Sequence, residues 1–353
     1  MWIYTNPGAP YLSEDFLAQS MKFFHEAETA ADDNATRTRV RKARLSIDYV
    51  RLMHAMAFQV RDGSYAPADI DRLKESFQSF MNDVRSFGIT ELHEGTKLAE
   101  DEEEFSKSIR PYRVAALENA AVRVDVAPEL SGRIIQMIDR RTGKDMLRHS
   151  DPGEQSYPDV GGLSLFVYSD YLAAKPYEAK WELEPQTQPP ELRLTGTFAN
   201  GLKARRAIRL RKDEPVVQTE TTLENGGTSS LDVVLQSQYR ADAKSMDRAA
   251  LSFRQQDGKT LEQRLLQPGQ EPRGSKVYDG SEQPDGEWML SETGAGLVLV
   301  NRFPKDQVSR CFAHWTGKAE NAVTLGLWSA KRALGPGETL KLEADYGIHN
   351  PKH

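Results

Sequence analysis

The stretch LDVVLQSQYR, residues 231–240, alternates with a period of two. Leu231, Val233 and Leu235 therefore point one way, and Gln236, Gln238 and Arg240 the other. Two amides and one guanidinium in a row form a set that donates to and accepts from hydroxyls, the chemistry of sugar recognition. A polar strand face turned to water is the plainer alternative. In AVTLGLWS, residues 322–329, Val323, Leu325 and Leu327 alternate inward, while Thr324, Gly326 and Trp328 share the opposite face. Gly326 omits a side chain beside Trp328 and would leave room for a sugar ring to stack on the indole.

His314 and Trp315 follow one another in SRCFAHWTG and so point to opposite faces; at most one joins that surface. His314 is the best placed histidine for proton transfer, against the alternative of a hydrogen-bonding histidine on a sheet face. Tyr168 closes the GGLSLFVY run, whose two glycines allow close backbone approach. Arg133, in SGRIIQM, could pair with a uronate carboxylate or form a structural salt bridge. The expected carbohydrate-binding set is thus Gln236, Gln238, Arg240, His314 and Trp328, with Tyr168, Trp315 and Arg133 behind them. Glu343 and Asp345, two apart on the last strand, share one face and read as a solvated pair rather than a glycosidase dyad. No phosphate-binding glycine loop, metal-spaced His/Glu cluster or Ser/His/Asp order stands out, so no metal or cofactor is expected.

These residues are carried by a chain whose period changes midway. Ser13 caps a first helix with a stripe at Leu17, Met21 and Phe24. A second helix begins near Asn34 with the stripe Val40, Ala43, Ile47, Val50, His54 and Ala57, in which His54 reads as a core residue. RDGSYAP stops it, and a third stripe runs Ile70, Leu73, Phe77, Phe80, Val84, Phe87 to Gly88. An acidic helix over 94–108 leads to Pro111. From there the period is two, with strands expected near 121–126, 133–138, 163–168, 192–198, 202–211, 216–224, 231–240, 286–290, 296–302, 308–315, 322–328 and 339–346. The expected fold class is α+β and multidomain: an antiparallel helical bundle over 1–110, then a large antiparallel β-sandwich over 111–353.

The 353 residues are 39% hydrophobic and 28% charged with net charge −6, an ordinary globular balance. Acidic and basic residues are interspersed, so no nucleic-acid surface is expected. No run approaches the ~20 apolar residues of a membrane span. The single cysteine, Cys311, excludes an intrachain disulfide and reads as a small buried residue. MWIYTNPGAPYLSEDF lacks the basic start and apolar segment of a signal peptide, which leaves the location open.

Two resemblances add to this. The opening SGRIIQMIDRRTGKDML hairpin, the middle strand LDVVLQSQYRAD and the closing LGLWSAKRALGPGETLKLEADYGI make residues 111–350 similar to the galactose-mutarotase-like sandwich of aldose epimerases and of accessory domains in glycoside hydrolases. The Tyr-Leu-Ser entry, the Ala-Glu on the first helix and RVRKARLSIDYV on the second make residues 3–105 resemble the helical region after the catalytic barrel of bacterial α-glucuronidase-like proteins. This resemblance implies that the chain is the C-terminal piece of a larger, secreted or periplasmic carbohydrate-active protein, with an upstream barrel as partner.

Mutarotases use a histidine at the end of the middle strand as acid and a glutamate on a late strand as base, one on either side of the sugar ring. Here Ser237, Gln238 and Tyr239 stand at the first place, and Leu325, Gly326 and Leu327 at the second. The leading expectation is therefore a non-catalytic, carbohydrate-binding accessory region. The alternatives are an aldose 1-epimerase-like enzyme using His314, and a purely structural domain whose groove is filled by its own YLAAKPYEAKW segment.

Overall fold

The computed structural model describes residues 11–92, 97–148, 161–173, 175–185, 191–266, 274–316 and 321–349. The chain divides into two compact units, one built mainly from residues up to Tyr112 and the other from Arg113 onward.

The first unit contains α1 (Glu14–Ala30), α2 (Asn34–Ala55), a hairpin of β1 (Phe58–Arg61) and β2 (Ser64–Pro67), α3 (Ile70–Ser86) and α4 (Leu98–Ser108). Each of the first three helices starts at a side chain that accepts a backbone N–H: Ser13, Asp33 and Asp69. Leu45, Leu52, Met53, Leu73, Phe80, Met81, Val84 and Phe105 make its core. Two expectations change here. The buried side of α2 carries Leu45, Leu52 and Met53 rather than the stripe through Ala43, which is exposed; larger side chains in a competing register win the interior. RDGSYAP does not merely end a helix. Asp62 and Gly63 take φ of 51° and 73°, and Arg61 faces Ser64 across a two-residue hairpin turn. Residues 94–96 of the expected acidic helix lie outside the described residues.

β3 (Tyr112–Arg113) leads into the second unit. Its strands are β4 (Ala115–Glu118), β5 (Val122–Ala127), β6 (Arg133–Asp139), β7 (Lys144–Asp145), β8 (Leu163–Tyr168), β9 (Ala179–Leu183), β10 (Glu191–Phe198), β11 (Leu202–Leu210), β12 (Val216–Asn225), β13 (Leu231–Asp242), β14 (Ala250–Arg254), β15 (Thr260–Arg264), β16 (Gly274–Asp279), β17 (Glu287–Leu290), β18 (Val298–Arg302), β19 (Arg310–Trp315), β20 (Ala322–Trp328), β21 (Arg332–Leu334) and β22 (Thr339–His349). They form a nine-stranded sheet in the order β15-β14-β17-β18-β22-β12-β11-β10-β9. The ten-stranded sheet runs β16-β19-β20-β13-β8-β6-β5-β4, with β21 on β13 and β7 on β6. The α+β class, with helices before a large antiparallel sandwich, is the one the sequence implied.

Alternation builds the core between the sheets. Val124, Leu165, Leu235, Leu325 and Ala313 come from one sheet, and Leu192, Ile208, Leu223, Leu342 and Tyr346 from the other. Turns are held from within: buried Asn225 donates to the carbonyls of Ser229 and Leu334 and accepts from Gly227 N–H, tying the β12–β13 turn to β21. The outward face of the nine-stranded sheet carries a lattice of paired charges. Arg209 bridges Glu191 and Glu220, at 3.1 and 3.2 Å. Lys341 bridges Glu220 and Glu343, at 3.7 and 2.9 Å.

Candidate functional site

Register assembles the site on the outward face of the ten-stranded sheet. Residues directly opposite one another in an antiparallel pair point to the same side. Gln236 faces Phe166 on β8 and Trp328 on β20, and Trp328 in turn faces Arg310 on β19. One row along, Gln238 lies between Ser164 and Gly326, and Gly326 faces Phe312. In the third row Arg240 faces Thr324, which faces His314. Gln236, Gln238, Arg240, Trp328 and His314 therefore stand on one surface. Tyr168 joins them, with its ring centroid 5.6 Å from that of Trp328.

Exposure separates these residues. Gln236 is only 4% exposed between its two aromatic neighbours. Gln238, Arg240, Tyr168 and Trp328 are half-buried, and His314 is exposed. Burial pushes the Tyr168 phenol above its usual range, so it is a neutral donor at physiological pH.

Two of the expected residues lie elsewhere. Trp315 alternates to the inner side of β19 and belongs to the core, packed beside Gly274, so it does not join the surface. Arg133 is 4% exposed at the start of β6, and its charge acts on Arg206, an inward-facing residue of the other sheet. Glu343 and Asp345 are both committed to partners. Lys341 and Gln307 hold Glu343, at 2.9 and 2.7 Å, and the Lys341 ammonium draws its carboxyl below the usual range. Arg211 holds Asp345 at 2.6 Å.

The space expected beside Trp328 is occupied. A Cβ on Gly326 would lie 1.8 Å from Cε1 of Phe312, so the Phe312 ring lies across the glycine, its centroid 6.0 Å from that of Trp328. The glycine leaves room for an aromatic ring of the protein itself. Tyr171, in the loop after β8, packs edge-on against Trp328 at 5.5 Å and is itself stacked by the Arg310 guanidinium at 4.2 Å. Its hydroxyl donates to the Ser329 carbonyl at 3.0 Å, lies 2.9 Å from Ser309 Oγ, and accepts from Lys331 N–H at 3.0 Å. Lys331 Nζ adds ion pairs to Asp170 and Asp232. The loop is thus fixed, and it presents Leu172, 94% exposed, beside the aromatic group.

Phe312 and Arg310 were legible in principle, since they alternate with His314 on β19. Tyr171 opens the YLAAKPYEAKW segment that the structural alternative expects to fill the groove, and its ring packs on Trp328, though no periodicity in that loop marks the residue. No carboxylate shares the row of His314 among the described residues. The nearest in register on β13, Asp242, is bound by Arg148. Nor do three His, Cys, Asp or Glu side chains converge as a metal would require, among the described residues.

No protein-family model matches this chain, and no curated protein matches it. Solved structures do. It is similar to the Slr1438 protein from Synechocystis sp. PCC 6803 at 14% identity and a TM-score of 0.53, over 69% of this chain and 98% of that one. It is also similar to a TPR-domain containing protein from Parabacteroides distasonis ATCC 8503, at 13% identity and a TM-score of 0.52, over 68% of this chain. The chain spans 48% of the length of that protein. A galactose mutarotase-like protein from Lactobacillus casei ATCC 334 matches at 10% identity and a TM-score of 0.48, over 67% of this chain and all of that one. At such identities the likeness is one of fold.

Proposed function

We propose that the outward face of the ten-stranded sheet binds carbohydrate, and that the chain does so without catalysing a reaction on its own. The observation that carries this reading is the register that sets Gln238 in the row next to Trp328 and Arg240 in the row of His314. The half-buried indole offers an apolar face to the C–H side of a pyranose, and the amide, guanidinium and imidazole reach for its hydroxyls. Epimerisation would need an acid and a base facing each other across the ring. Ser237, Gln238 and Tyr239 where the resemblance would put the acid, and Leu325, Gly326 and Leu327 where it would put the base, support binding over turnover.

The test is a glycan array with the full chain, followed by titration of the best oligosaccharide. Trp328→Ala is expected to weaken binding about tenfold or more, equivalent to ~1.4 kcal/mol. Binding that ignores the substitution would sink the platform. If the chain binds no glycan at all, the structural reading gains, and Tyr171 and Phe312 against Trp328 are then simply the face's own filling. Polarimetry of fresh glucose or galactose decides the epimerase alternative, which returns if the chain accelerates mutarotation and His314→Ala abolishes it.

The resemblance of the helical half further supports placing the chain as the C-terminal region of a larger glycoside hydrolase-like protein. In that setting residues 1–110 would buttress a catalytic barrel and residues 111–353 would bind its sugar chain. With separate cores in the two units, calorimetry of the chain is expected to resolve two unfolding transitions. One cooperative transition would count against two domains with that boundary.

A further inference from the structure

Arg206 is the residue of the sandwich that its surroundings explain least. It points inward from β11, opposite Leu194 on β10 and Thr221 on β12, and is 2% exposed. Nε, Nη1 and Nη2 are all buried, and none has a hydrogen-bond partner among the described residues. Five N–H donors are thus left without an acceptor. The groups that act on its charge are the Tyr346 phenol and Arg133, a second buried cation; no carboxylate among the described residues does so. Burial above all, with the like charge of Arg133, brings its pKa down to about 10, so the guanidinium remains charged at neutral pH. The nearby hydroxyls add to the surplus of donors. Ser237 Oγ and Tyr346 OH lie 2.7 Å apart and share one hydrogen bond, which leaves one O–H of the pair without an acceptor among the described residues.

We propose that the interior of the sandwich binds one small monovalent anion of the halide class against the Arg206 guanidinium, with the spare hydroxyl of the Ser237–Tyr346 pair as a further donor. A buried charge without a counter-charge is among the most destabilising arrangements a core can hold. Water would answer some of the donors, but it brings two hydrogens of its own and no charge. A halide is an acceptor only and neutralises the cation. A Cβ on Gly132 would lie 3.2 Å from Leu194 and 3.3 Å from Arg206 Cδ, so the chain stands close over the arginine stem. The ion is structural, and its presence does not depend on the sugar-binding reading of the opposite sheet's outer face.

Two measurements on the full chain test this. Crystals exposed to bromide are expected to show an anomalous peak within hydrogen-bonding reach of the Arg206 guanidinium. Thermal unfolding in sodium chloride or bromide is expected to move up by about 3–6 °C over sodium gluconate at equal ionic strength, saturating with halide. Arg206→Met should lose that dependence. If this variant fails to fold, the two wild-type measurements decide alone. Water alone at the guanidinium, a melting temperature indifferent to halide, or an Arg206→Met chain that keeps the full halide response would each overturn the proposal. So would a bromide peak without any halide-dependent shift, which marks an adventitious ion only.

Discussion

Gly162→Ala is expected to destabilise the sandwich by about 3–5 kcal/mol, from the sum of a left-handed backbone cost and an overpacked contact that cannot relax. Gly162 has φ of +64°, and a Cβ there would stand 2.4 Å from the carbonyl oxygen of Ile134. That neighbour is backbone, in the middle of the ten-stranded sheet. Gly162 is also held on both sides: its N–H donates to Arg148 O at 2.8 Å, and its carbonyl accepts from Arg240 N–H at 2.9 Å. Moving the strand start to accept a methyl group would break these bonds and shift β8, which carries Phe166 and Tyr168 to the candidate site. Denaturant unfolding of the full chain measures the loss. Gly143→Ala is the control, because its φ is +69° but nothing lies within 4 Å of the added Cβ, so it should cost only about 1 kcal/mol. Equal costs at the two glycines would show that the close approach to Ile134 carries no weight.

Gly326→Ala is expected to cost about 2–3 kcal/mol, since the methyl group must evict the Phe312 ring from the strand surface. The loss should be strongly non-additive. Phe312→Ala removes the obstacle, so the double variant should be less destabilised than the sum of the singles by about 1 kcal/mol or more. Additive costs would mean that the ring does not rest on the glycine. A displaced Phe312 would also disturb Trp328, so the alanine variant should lose affinity for any ligand stacked on that indole.

These two glycines show how far the sequence can be read. GGLSLFVY indicated close backbone approach, and Gly162 meets Ile134 as such a glycine must. Gly326 was equally visible as a missing side chain, but what fills the gap depends on cross-strand register, which places Phe312 and not solvent opposite it. The long alternating strands, β10 to β13 and β22, were legible because one face of each is buried along its length. The missed ones are short or exposed. β15 has no buried residue, and β16 has Tyr278 alone, so neither shows a clean alternation of apolar and polar positions. The β1–β2 hairpin was missed for another reason: its Asp-Gly turn was present in the sequence but was weighed only as a helix stop. The polar row on β13 lay in one strand and needed only the period of two. The aromatic group around Trp328 comes from two strands and a loop, and no local pattern joins Tyr171 to it.

The charge lattice on the nine-stranded sheet has a consequence for how the sandwich meets other molecules. Glu191, Arg209, Glu220 and Lys341 alternate in sign from one strand to the next, and Lys341 also pairs with Glu343 on its own strand, so most of each charge is answered a few ångströms away. A partner settling there would have to strip water from ions that already have their counter-ions and would gain little in exchange. The aromatic group around Trp328, and Leu172 beside it, ask for the reverse. The sandwich is therefore two-sided in its chemistry: one flank answers its own charges, and the other carries aromatic and apolar side chains that gain from leaving water.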